Sequence, residues 1–273
     1  MMSIHSMFRN LIAAAVLISI SFAPARADYQ AYTGGHGDIG VKYQDGQLQF
    51  RYDFGTTATV GGAPIGSGPD QFSPDEIAVT AGLPAWRELT PGETPIFPAG
   101  KTHAYVFGAT SSSISPYLGL AAMDPTLTSS QWVNPIPGLS WSTFLGHIDY
   151  EIVGMNYQGD AIDPGFALFT TALNGTANPI FSSAAGISNQ AFMQIPGHGH
   201  YSWGFSDAGV YDISIKGWGT HVADGYKEAF TTMRFVMTPV PEPASLTLTA
   251  VGILSIGIFA RRRRALAATA DCV

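Results

Sequence analysis

Cysteine is almost missing from this chain: the one residue, Cys272, stands next to the last position. An intramolecular disulfide is therefore excluded, and a domain of this sequence must be held by its apolar core or by a metal ion. Basic residues are scarce as well. Between Asp28 and Val240 there are 7 Lys and Arg against 18 Asp and Glu, a formal charge of −11. A surface of that sign repels nucleic acid and anionic lipid and concentrates cations, so no nucleic-acid partner is expected. No long apolar pattern of helical period runs through the body, and no segment repeats at a fixed spacing, which argues against helical bundles, solenoids and propellers. Also missing are a Gly-x-Ser-x-Gly elbow, a His-Glu-x-x-His helix and a phosphate-binding glycine loop.

What the body does contain is alternation. Ile39, Val41 and Tyr43 alternate with polar or small residues, Asp45-Gly46 follows, and Leu48, Phe50 and Tyr52 alternate again. An Asp-Gly pair between two such runs specifies a tight hairpin, because both turn residues must adopt positive φ. The same pattern predicts strands over His103 to Gly108, Ile148 to Met155, Phe166 to Thr171, Val210 to Trp218 and Ala229 to Thr238. Gly- and Pro-rich stretches separate them, notably Gly61 to Pro74 and Thr90 to Gly100. Ser111 to Trp141 reads as a loop excursion with one short strand near Tyr117 to Leu120. The expected fold is all-β, an antiparallel two-sheet β-sandwich with long loops, in one domain over residues 28–239.

Both ends carry export signals. Arg9, an apolar run from Leu11 to Phe22, and Ala25-Arg26-Ala27 before Asp28 make a secretory signal peptide over residues 1–27. At the other end Pro241-Glu242-Pro243 precedes 17 uncharged residues, Ala244 to Ala260, and then Arg261 to Arg264. The prolines end the preceding fold and hold an extended tether. Seventeen residues is the lower limit for a membrane-spanning helix, and the arginines keep that end cytoplasmic. This tail, residues 240–264, resembles the PEP-CTERM sorting signal, with Ala265 to Val273 as a short extension. The resemblance implies processing at Pro241-Glu242-Pro243 by an exosortase-type transpeptidase. It also implies passage from inner membrane and periplasm to the envelope or surface of a Gram-negative bacterium.

The histidines carry the chemistry. In His198-Gly199-His200, residues two apart in an extended chain point to the same face, so both imidazoles reach one ion. His36, flanked by Gly35 and Gly37, is a third candidate on spacing alone. Neutral imidazole is a borderline ligand that suits Zn2+. For a fourth ligand the choice is His103, at the start of a predicted strand. Asp38 is either a direct ligand or an acceptor for an imidazole N–H. His147 and His221 read as structural or solvated. Asp160 and Asp163, and the Asp70 to Glu76 stretch, lack the ligand density of a calcium loop.

Gly35-His36-Gly37-Asp38-Ile39, the Tyr43 to Leu48 hairpin, and His198 to Phe205 with Gly209-Val210-Tyr211 resemble the bacterial surface domain called choice-of-anchor M. With the sorting tail, the chain looks most like a PEP-CTERM group repressed by the zinc-uptake regulator. That resemblance implies zinc handling, with a zinc ABC transporter system as partner. The resulting expectation is a zinc-binding surface protein and not an enzyme. Two alternatives remain open: a matrix or adhesion protein without metal function, and a metal-dependent hydrolase using Asp38 as base.

Overall fold

The computed structural model describes residues 29–240, apart from 69, 109, 111–112 and 134–145. The signal peptide, the sorting motif, the 244–260 span and the 265–273 tail lie outside the described residues. Among the described residues there are strands and three short 3-10 turns, and no helix long and apolar enough to cross a membrane.

The strands run in chain order as β1 (Gln30–Gln44), β2 (Gln47–Phe54), β3 (Thr59–Val60), β4 (Ala63–Pro64), β5 (Gln71–Phe72) and β6 (Ile77–Ala81). Next come β7 (Trp86–Glu88), β8 (His103–Phe107), β9 (Pro116–Ala122), β10 (His147–Gln158), β11 (Phe166–Thr171) and β12 (Ala177–Ser182). The series ends with β13 (Gln190–Gln194), β14 (Gly197–His200), β15 (Ser202–Phe205), β16 (Gly209–His221) and β17 (Gly225–Met237). The predicted hairpin forms as β1–β2, with φ of 53° at Asp45 and 76° at Gly46, as an Asp-Gly turn demands.

A broad sheet in the order β13-β10-β16-β17-β6-β1-β2-β5 also takes in β3, β4, β9 and β14, while β12-β11-β15-β8-β7 forms a second sheet. Strand β1 is the hinge of the design. Its first residues pair with β6 and β3, and from Gly35 onward it pairs with β9 and β2. The register shifts between Tyr32 and Gly34, and Gly35 has φ of 81°. Gly34-Gly35 thus re-aims the strand where a side chain would resist.

Core packing follows from period-2 burial. Along β16, Tyr211, Ile213 and Ile215 are buried and alternate with half-buried polar residues; on β17, Met233, Phe235 and Met237 are buried and alternate with half-buried Arg234 and Val236. Onto that face fold the β1–β2 hairpin and the five-stranded sheet. The Phe235 ring lies 5.2 Å from Trp203 and 4.8 Å from Phe205. Tyr150 Oη donates to the Ala121 carbonyl at 2.5 Å, and Trp203 Nε1 donates to the Leu118 carbonyl at 2.9 Å. Each buried ring of this kind contributes ~1.5–3 kcal/mol through removal from water. Most pairings are antiparallel, as expected of a sandwich, but β6 runs parallel to β1 and β17, and β9 runs parallel to β1. The parallel β1–β9 pair is what builds the site.

Candidate metal centre

Three neighbouring strands, β1, β9 and β14, make the floor of the site. Asp38 of β1 faces Gly119 of β9, and His200 of β14 faces the same Gly119 from the other side. His36 and Asp38 lie two apart on β1, and His198 and His200 two apart on β14, so all four side chains rise from one face. Neighbouring strands are ~4.8 Å apart, so two outer strands reach each other only across a central residue with no side chain. Gly119 supplies that gap. A Cβ there would stand 2.0 Å from Asp38 Oδ1 and 3.1 Å from His200 Cε1.

The result is a tight group. One donor atom from each of His36, Asp38, His198 and His200 lies within 4.8 Å of every other. His36 Nε2 is 3.1 Å from His200 Nε2 and 3.6 Å from Asp38 Oδ2, and His200 Nε2 is 3.7 Å from Asp38 Oδ1. Donors bound to a tetrahedral zinc at ~2.0–2.1 Å stand ~3.3–3.4 Å apart, within the range of these separations. Tyr117 holds the His200 ring by face-to-face stacking, with centroids 3.8 Å apart and planes 12° apart. Asp38 is buried, His36 and His200 are half-buried, and His198 is exposed and forms the outer wall.

Burial raises the Asp38 carboxyl above its usual range, and the His36 and His198 charges pull it back down. Burial and then the positive charges on His36 and His198 lower His200 from 6.5 to about 4. At neutral pH that imidazole is unprotonated, the form that binds a metal. Asp38 Oδ1 and His200 Nδ1 are buried and have no hydrogen-bond partner among the described residues. A buried carboxylate oxygen without a donor costs several kcal/mol in an apolar setting, roughly 2–7 for a polar group, unless a cation satisfies it. Three imidazoles, one carboxylate and an orphaned carboxylate oxygen therefore fit a bound divalent ion.

A cleft of about 360 Å3 opens beside the group, lined by His36, Asp38, Arg51, Asp53 and Asp124 among others. Arg51 is already committed there: its Nε bonds Asp53 Oδ2 at 2.8 Å and its other end pairs with Asp124.

Four of the five residues expected to bind metal thus come together, and His103 is placed elsewhere. It opens β8 opposite Glu88, exposed, with its ring stacked on Trp86 at 5.6 Å and Nδ1 3.1 Å from Thr102 Oγ1. The chain approaches β9 at Gly108, just past the end of β8, five residues and roughly 16 Å along an extended chain from His103. Asp38, the direct-ligand alternative, stands beside the three histidines in its stead. His147 is buried at the start of β10, with Nε2 3.5 Å from Asp149 Oδ2. His221 is buried at the end of β16, with Nδ1 3.0 Å from Asp224 Oδ2 and its ring against Tyr43 and Trp132. Gly119 and Tyr117 complete the site without belonging to any motif in the sequence. Their only signal is a small and an aromatic residue two apart on a strand, which names no site until its neighbours are known.

Residues 239–264 match the family model of the PEP-CTERM protein-sorting motif. No curated protein and no solved structure matches the chain. The sorting motif implies processing by an exosortase and export to the cell envelope or surface of a Gram-negative bacterium. A sorted surface protein with an all-β body and a His/Asp group able to hold a metal is the class that tail, fold and site define together.

Proposed function

We propose that the protein binds zinc at the cell surface through His36, Asp38, His198 and His200, and serves zinc acquisition or homeostasis. The observation that carries this reading is the convergence of four donors within 4.8 Å around a buried carboxylate. Nitrogen-rich borderline donors favour Zn2+ over Ca2+ or Mg2+, which take oxygen, and over Cu(I), which prefers sulfur. Four side chains would be enough to complete a tetrahedral shell around a zinc ion, whereas a hydrolytic site needs an open position. Binding rather than hydrolysis is therefore the function proposed. The likeness of the His36 and His198 patches to choice-of-anchor M, and of the whole chain to the zinc-regulator-repressed group, supports zinc. A zinc ABC transporter system is the partner this suggests.

The test is elemental analysis of the exported protein, purified without a histidine tag or added metal. About one zinc per chain, lost in the His198→Ala/His200→Ala double variant, supports the proposal. A metal-free protein that gains no thermal stability from Zn2+ rejects it.

A further inference from the structure

We propose that the sorting enzyme docks on the folded body itself, at the end of the sandwich where the chain leaves β17. This rests on the sorting-motif match and is independent of the metal centre.

The fold grips the chain almost up to the motif. Thr238 N donates to the Ala81 carbonyl at 2.9 Å, Tyr105 Oη donates to the Thr238 carbonyl at 2.8 Å, and Val240 packs against the core. Pro241 is bonded directly to Val240. Three peptide units, at most ~11 Å of chain, separate Thr238 from Pro241. The matched segment even begins at 239, inside the gripped stretch. An enzyme that binds a few residues on the amino side of its cleavage point must meet the domain surface there.

That surface is built to be met. A cleft of about 590 Å3 lies at the exit, lined by Tyr157, Asp160, Val210, Val236, Thr238 and Pro239 among others. On its lip the loop between β10 and β11 presents Ile162, fully exposed, between the exposed carboxylates of Asp160 and Asp163. No ion pair engages either carboxylate among the described residues, whereas the nearby Asp207 is neutralised by Lys101 at 2.6 Å. Leu83 is also exposed and follows Gly82, where a Cβ would lie 2.8 Å from Thr238 Oγ1. An apolar tip flanked by two negative charges fits a protein partner with an apolar pocket and basic residues around it. Anionic lipid is a poor match for the same charges.

The experiment follows precursor conversion of the full-length chain in a host carrying the transpeptidase, by intact mass over time. Ile162→Asp should slow conversion about tenfold, the loss expected when one apolar anchor leaves an interface. Asp160→Lys/Asp163→Lys should slow it as well. Leu173→Asp, at an equally exposed leucine in the loop between β11 and β12, should convert at the parental rate. Ten Gly/Ser residues inserted between Val240 and Pro241 should free the motif, so that Ile162→Asp then converts as fast as the spacer-bearing parent. Conversion of Ile162→Asp at the parental rate without the spacer overturns the proposal. So does a defect shared by Leu173→Asp, or one the spacer leaves in place, which would point to misfolding or lipid contact. A parent that stays uncut sinks the sorting reading itself, a different failure from a parent and variant cut alike.

Discussion

Asp38 and Gly119 face each other across the parallel β1–β9 pair, and a Cβ on Gly119 would stand 2.0 Å from Asp38 Oδ1. The space for an ion thus depends on one missing methyl group. Gly119→Ala should keep the fold, with β14 giving by a few tenths of an ångström where the Cβ meets the Gly199 carbonyl at 3.1 Å, yet push Asp38 out of reach of His200. The expected outcome is a folded protein by circular dichroism whose zinc affinity, measured by competition with a chelator, falls at least about tenfold, or ~1.4 kcal/mol. Unchanged affinity would show that the donors meet elsewhere.

Substitution of the donors separates ligands from bystanders. A site present only in the folded state stabilises it by about 2.7 kcal/mol when free metal is 100 times Kd. His36→Ala, His198→Ala, His200→Ala and Asp38→Asn should each remove most of the zinc-induced rise in melting temperature. His103→Ala, His147→Ala and His221→Ala should retain it, whatever they do to the metal-free protein. For buried His147 and His221 the basal melting temperature should drop, because each holds an aspartate and packs on aromatic rings. A zinc response that disappears in His103→Ala would restore that residue to the site.

Much of the fold and half of the site are legible in the sequence. The Asp45-Gly46 turn, the alternation of β16 and the i, i+2 spacing of His198 and His200 each encode their local geometry, and local geometry is what a sequence states most directly. Partner choice between strands is not encoded that way. That β9 would insert between β1 and β14, running parallel to the first, depends on the bend at Gly34-Gly35 and on packing against β10 through Tyr150. His103 has the strand position and flanking residues of a ligand, but the pairing of β8 with β7 and β15 carries it away. Gly119 illustrates the same limit from the other side. Its importance lies wholly in what stands opposite.

The sorting tail makes a prediction of mass. If the transpeptidase cuts at Pro241-Glu242-Pro243, the surface-exposed form should end near Val240 to Pro243 and lack Arg261 to Arg264. Intact-mass measurement of protein from the native envelope decides this, and a surface pool that retains the arginine cluster would contradict it. In a host without the transpeptidase, the uncut chain should fractionate with the inner membrane.

His200 gives the metal-free protein a characteristic acid response. Its folded-state value is lowered to about 4 by burial and by the charges on His36 and His198, against 6.5 when exposed. Between those two values the unfolded chain binds a proton at this residue and the folded chain does not. Protons then favour unfolding, so stability should fall as pH drops from ~6.5 toward ~4 and level off below, as far as His200 alone determines it. Asp38 acts in the opposite direction, because its raised value means the folded state takes up a proton before the unfolded state does. Denaturant melts of the metal-free protein across pH 4 to 7 should therefore show a shallower slope in His200→Gln than in the parent and a steeper one in Asp38→Asn. If His200→Gln leaves the slope unchanged, the imidazole is not held neutral by its surroundings, and the pre-set, metal-ready state of the site is wrong.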